Sequence, residues 1–195
     1  MAIRRGIIAS QQAGLPSAYQ RVEYLESSGT QYIDTGEYFH SNDRCTIAFA
    51  PLADNSDTCV FGIYQASDAV IEINMLNGHF RLDLTATTND YTVGRRYIYA
   101  KDGGKWYMDG VESTVEYPNK DCLTHSLLLF ARWYNGAATK PSKIKIYEYS
   151  HERNGSKLRD LIPCVRKSDS VAGMYDTVTK TFFTNAGTGT FIIPT

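Results

Sequence analysis

The 195-residue chain is short of several things a protein of its size often has. No apolar spacing of three and four residues persists long enough for a helix. No apolar run approaches the ~20 residues of a membrane helix. The opening MAIRRGIIAS is basic, but its apolar run covers only Gly6 to Ala9, too short for a secretory leader. The expectation is therefore synthesis in the cytoplasm without a signal peptide and no membrane association. No charge sign is in excess: 20 basic residues stand against 21 acidic ones, for a net charge of −1. That excludes the basic footprint of a nucleic-acid-binding domain. No long like-charge run offers a charged tail.

The chemistry of sites is also sparse. Cys45, Cys59, Cys122 and Cys164 form no CxxC pair, and no histidines are spaced around them as zinc ligands. They read as buried thiols; a Cys45–Cys59 bridge is geometrically open but not implied. Asp102, Asp109 and Asp121 are scattered rather than clustered, and an aspartate in an Asp-Gly turn has a sufficient structural role. His40, His79, His125 and His151 are isolated, without a nucleophile signature beside them. The GTG of NAGTGTF precedes a strand, not a helix, so it is no phosphate loop. Neither a metal nor a cofactor is expected.

What is present is aromatic and strand-like. Tyrosine is abundant at 14, and with 8 Phe and 2 Trp the aromatic share is 12%. Such residues suit half-buried sheet surfaces and also sugar or protein recognition. About fifteen short alternating runs bounded by Gly, Asn, Asp and Pro follow one another, too many for one open sheet. Two packed antiparallel sheets are the natural solution. Residues 1–15 read as a separate basic and polar arm ending at Leu15-Pro16, and residues 16–195 as a single β-sandwich domain.

Two turn motifs set registers. Asn77-Gly78 predicts a type I′ hairpin that pairs Met75 with Phe80, Ile73 with Leu82 and Ile71 with Leu84 on one apolar face. The other face then carries Asn74 across from Arg81 and Glu72 across from Asp83. Asp102-Gly103 and Asp109-Gly110 predict a three-strand meander. It puts Tyr99 opposite Trp106, Tyr97 opposite Met108 and Met108 opposite Val111, with Val115 on the same inner face. SLLLFA, residues 126–131, reads as one strand covered on both sides.

Two stretches carry a family resemblance. LPSAYQRVEYLESSGTQYIDTG (15–36) and LRDLIPCVRKSDSVAGMYDTVTKTFFTNAGTGTF (158–191) closely resemble a module of bacteriophage and prophage structural proteins. KWYMDGVES (105–113) resembles the strand-turn-strand of laminin-G-like domains, and SKIKIYEYS (142–150) their late strand. The resemblance implies a concanavalin-A-like jelly-roll sandwich carried in tail, fibre or other virion-surface proteins, with attachment or glycan binding as its role. It further implies other virion proteins as partners, which the 1–15 arm is free to engage, with homo-oligomers also open. Within 175–191, the turn Thr177–Lys180 is expected to join a hairpin. Phe191–Ile193 is expected to form a last strand near VEYLES, closing an edge.

Two places are candidate ligand sites. The first is the polar face Glu72, Asn74, Arg81 and Asp83. Opposed carboxyls about 5–5.5 Å apart would also suit a retaining glycosidase. Glucanases of the same broad fold place acids as E-x-D-x-x-E, whereas here Glu72 is followed by Asn74 and Asn77, so the second and third acids are missing. The second is the ARWYNGAATKPS segment (131–142), where Trp133, Tyr134 and Asn135 offer aromatic faces, unless Trp133 folds back as a lid. The resulting expectation is a non-enzymatic virion-surface protein that binds glycans. The alternative is a purely structural decoration or fibre protein, and glycan hydrolysis ranks last.

Overall fold

The Asn77-Gly78 hairpin forms as the sequence predicts. In the computed structural model, Asn77 and Gly78 take φ of +52° and +84°, and Ile73–Leu82, Asn74–Arg81 and Met75–Phe80 are paired. The structure describes residues 14–54, 57–67, 69–113 and 119–194, without the side chains of 85–89; residues 1–13, hence nearly all of the expected arm, lie outside it. No helix occurs among the described residues, and eighteen strands build two sheets.

The first sheet runs β11 (Val111–Glu112), β10 (Lys105–Met108), β9 (Tyr97–Asp102), β4 (Arg44–Pro51), β15 (Ile144–Arg153), β16 (Ser156–Arg166), β17 (Val171–Asp176), β18 (Phe182–Thr184). Strands β1 (Tyr19–Arg21) and β2 (Leu25–Glu26) add to β16 and β15. The second sheet runs β14 (Ala137–Thr139), β13 (Arg132–Tyr134), β5 (Thr58–Ala66), β6 (Ala69–Leu76), β7 (His79–Leu82), β8 (Thr85–Asp90). Strand β12 (Leu128–Leu129) joins β3 (Ile33–Asp34) and β5. All pairs are antiparallel except β13 with β5. The architecture is thus an all-β, two-sheet sandwich of the jelly-roll class.

The alternate residues that the period of two sends inward form the main core, and Ile162, Cys164 and Tyr175 form a smaller cluster with Leu15, Tyr19 and Phe182. Aromatic rings join the two sheets across it. Phe49 of β4 meets Phe80 of β7 at 5.7 Å and 83°, and Phe61 of β5 lies 6.2 Å from Trp106 and 6.3 Å from Tyr149. Leu25, Ile33, Ile47, Ile71, Ile73 and Met75 fill the space between. All four cysteines are free and buried, so the Cys45–Cys59 bridge is not made.

Four expectations need correction. The meander turns at Gly103-Gly104 rather than Asp102-Gly103, so Trp106 pairs with Lys101 and Met108 with Tyr99. The slip is two residues, which keeps every side chain on its face, and Tyr97, Tyr99 and Trp106 stay inside. Met108–Val111 pairs as expected, but Val111 is 71% exposed because the inner face runs out at this sheet edge; Val115 lies outside the described residues. The SLLLFA run is buried but is not one strand: Phe130 takes φ +68°, and the chain reverses there. Its N–H donates to the Val60 carbonyl at 2.7 Å, and its own carbonyl accepts from the Ser142 N–H and hydroxyl. Last, the hairpin ladder ends at Leu82, because Asp83 and Leu84 are both left-handed, at φ +43° and +68°. Ile71 therefore has no partner at Leu84.

Candidate functional site

The reversal at Phe130 places β13 beside β5 and completes a polar patch on the outer face of the second sheet. Thr139, Arg132, Gly62 and Glu72 form one cross-strand row, and Ala137, Tyr134, Tyr64 and Val70 the next. Adjacent rows on one face lie about 6.6–6.8 Å apart along a strand. A third row holds Cys59, Asn74 and Arg81.

Glu72 is fully buried, and its carboxylate accepts from Arg132 Nη1 at 2.8 Å and from Asn74 Nδ2 at 2.5 Å. Arg132, only 8% exposed, packs against two rings: its guanidinium carbon is 4.9 Å from the Tyr64 centroid and 5.2 Å from that of Tyr134. Those rings meet edge to face at 4.8 Å and 90°. Tyr64 is half-buried and Tyr134 is 41% exposed. A carboxylate at the floor thus holds a cation, and the cation holds an aromatic pair at the surface.

Gly62 makes this possible. A Cβ there would sit 2.7 Å from Glu72 Cβ, 3.0 Å from the Ile71 carbonyl and 3.2 Å from Arg132 Cβ. A glycine inside a strand marks such a close approach. Next to it, burial raises the Cys59 thiol well above its ordinary range, so it is a packing group and not a nucleophile.

The sequence-predicted residues separate. Glu72, Asn74 and Arg81 do share the outer face, but Glu72 and Asn74 are sealed floor rather than open surface. Asp83 leaves them altogether. Because the chain quits the ladder at Leu82, its carboxylate turns into the core, where Oδ1 accepts from the Glu72 N–H at 2.9 Å and Oδ2 from Trp106 Nε1 at 2.8 Å. The two carboxyls therefore do not flank a common space as a glycosidase pair. Burial, outweighing those two donors, pushes the Asp83 carboxyl up to about 7.

Trp133 and Tyr134 are consecutive in a strand and point to opposite faces. Tyr134 joins the patch, and Asn135, exposed at φ +49°, forms the adjacent turn with Gly136. Trp133 goes under, its ring 4.5 Å from that of His125. Sequence reasoning missed Tyr64 and Arg132. Both had a signal: Gly62-Ile63-Tyr64 is a glycine-interrupted strand, and Arg132 is a charge ending an apolar run.

Among the described residues no group of three or more His, Cys, Asp or Glu is placed to hold a metal ion. No helix among them is long and apolar enough to cross a membrane.

No protein-family model matches the chain, and no curated protein shows significant sequence similarity to it. A solved structure of a candidate carbohydrate binding protein from Bacteroides ovatus is similar, with a TM-score of 0.60 and 12% identity. The match covers 90% of this chain and 60% of that one, so this chain spans about three-fifths of that protein's length. At such identity the likeness is one of fold, and it places the chain among sandwiches of this architecture.

Proposed function

We propose that this sandwich binds glycans on the outer face of its second sheet, and that it is displayed on a bacteriophage particle. The Tyr64–Tyr134 pair, clamped from below by the buried Arg132–Glu72 ion pair, carries the first part. A pyranose presents an apolar face of C–H groups, which an aromatic ring covers, and a rim of hydroxyls, which flanking polar groups bond. An isolated buried ion pair adds little net stability to a sheet face. Its service here is to fix the two rings before a ligand arrives, which lowers the entropy lost on binding. The carbohydrate-binding description of the similar Bacteroides ovatus protein supports the reading.

The particle location rests on the two terminal signatures, 15–36 and 158–191, and the anchor would be the arm of residues 1–15. A shallow site with one exposed ring binds weakly, and multivalent display raises avidity by about 10²–10⁴. A glycan array probed with multimerised protein tests the site. Binding that Tyr134→Ala and Tyr64→Ala each reduce at least tenfold is the expected result. Absence of any glycan signal would leave the module as a contact-making structural protein. Mass spectrometry of purified particles from a producing host tests the location, and absence of the chain from them would refute it.

A further inference from the structure

The charges around the patch indicate which glycans it takes, on the reading that the patch is a glycan site. Glu72 is neutralised by Arg132 at 2.8 Å, and His79, exposed on the same strand as Arg81, is paired with Asp90 at 2.6 Å. Arg81 is the exception. Its Nε donates to the Leu84 carbonyl at 2.7 Å, and no carboxylate of the described residues lies within ion-pair distance of its guanidinium. It is half-buried, and its row adjoins the Arg132–Glu72 row on the same outer face.

A second observation lies directly across the ladder. Asn74, fully buried, gives its Nδ2 to Glu72, but its Oδ1 has no hydrogen-bond partner among the described residues. A buried acceptor left open costs free energy unless a donor arrives. The paired positions thus hold an unspent cation and an unspent acceptor side by side. Their complement is a carboxylate with a hydroxyl close to it, which neutral hexoses do not offer.

We infer that the patch recognises an acidic glycan, a chain bearing carboxylate sugars. Arg81 binds the carboxylate of one sugar, Asn74 takes a neighbouring hydroxyl once that floor opens, and Tyr134, two rows along and three strands over, covers a sugar farther along the same chain. Uronic and sialic acids share this chemistry, and an experiment separates them.

The multimerised protein is titrated with polygalacturonate, with the same polymer methyl-esterified, and with sialylated mucin glycans before and after desialylation. The expected result is tight binding to at least one acidic form and at least tenfold weaker binding to its neutral counterpart; which pair shows the difference identifies the acid. Arg81→Gln should remove that preference, while thermal melting checks that the variant is folded. Arg81→Lys, which keeps the charge, should retain part of it. Equal binding of acidic and neutral forms, lost in Tyr134→Ala, would overturn the acidic specificity and leave the glycan site standing. Binding of no glycan in any arm would overturn both.

Discussion

At Gly62 the absence of a side chain has a defined consequence. Its flanking neighbours on the outer face are Glu72 and Arg132, and its would-be Cβ overlaps the first at 2.7 Å. Both neighbours are anchored, because each is the other's ion-pair partner and both are buried, so neither can step aside at low cost. Gly62→Ala should lower the unfolding free energy by about 1–3 kcal/mol, the usual cost of overpacking. It should also loosen Arg132 from beneath Tyr64 and Tyr134 and so weaken glycan binding. Chemical denaturation together with glycan titration checks both effects, and a variant that melts normally and binds normally would show the clamp to be dispensable. Removing the charge instead, with Glu72→Gln, leaves Arg132 buried without its partner. That should cost on the order of 3–5 kcal/mol, read from the same denaturation curves.

Among the elements, the two signature stretches prove to be a single clasp. Asn185 Oδ1 accepts from the Tyr32 N–H at 3.1 Å and the Gly187 N–H at 2.9 Å, while its Nδ2 donates to the carbonyls of Thr188 and Gly189. Ala186 N–H reaches the Tyr32 carbonyl, and Thr30 Oγ1 reaches that of Thr188. Glu26 and Ile192 exchange backbone bonds at 2.8 and 2.9 Å, so the chain does close on VEYLES, although through an isolated bridge and not the expected 191–193 strand. Asp176 ties the preceding turn, accepting from the N–H groups of Asp160 and Val178 and the Thr179 hydroxyl. A Cβ on Gly187 would fall 2.2 Å from the Thr30 carbonyl. Gly187→Ala should therefore part the chain ends and lower Tm by several degrees, since about 1 kcal/mol shifts a domain of this size by ~2–4 °C. Differential scanning calorimetry checks this, with Ala186→Gly as a control that relieves no contact.

This clasp also shows where the sequence was readable. Short-range turn chemistry and the period of two are local, so the Asn77-Gly78 hairpin, the Tyr175–Phe182 hairpin and the pairing of the 191–193 segment near VEYLES could be read off directly. The outer-face patch could not. It depends on a left-handed Phe130, a conformation that no local rule assigns to an aromatic residue, and on β13 returning parallel to β5. Asp83 was misplaced for the same reason. An alternating pattern carried one residue past the end of its ladder assigns the wrong face.

For the whole molecule, two buried aspartates contribute to the pH dependence of stability with opposite sign. Asp43 is fully buried beneath donors from His151, Arg153 and the His40 N–H, each at 2.8 or 2.9 Å. Burial opposes its charge, but these partners outweigh burial and hold its carboxyl well below the ordinary range. It contributes stability that is present above the unfolded value of 3.8 and is lost as pH falls through its folded value. Asp83 does the reverse. Burial raises it to about 7 against the Trp106 and Glu72 N–H donors and the charge of Lys101, with the charge of Glu72 adding to the rise. Between 3.8 and about 7 the unfolded chain releases this proton and the folded one keeps it, so stability falls as pH rises and levels off above 7. The size of that fall is on the order of 1–4 kcal/mol. Unfolding free energy measured from pH 3 to pH 8 should accordingly rise to a maximum near pH 4 and decline toward neutrality. Asp83→Asn cannot titrate, so its curve should lose the decline between pH 4 and 7. The same variant should start lower by about 1–3 kcal/mol, because an amide accepts from only one of the two donors that face it. An unchanged slope in the variant would move the pH response to another group and return Asp83 to an ordinary buried carboxylate.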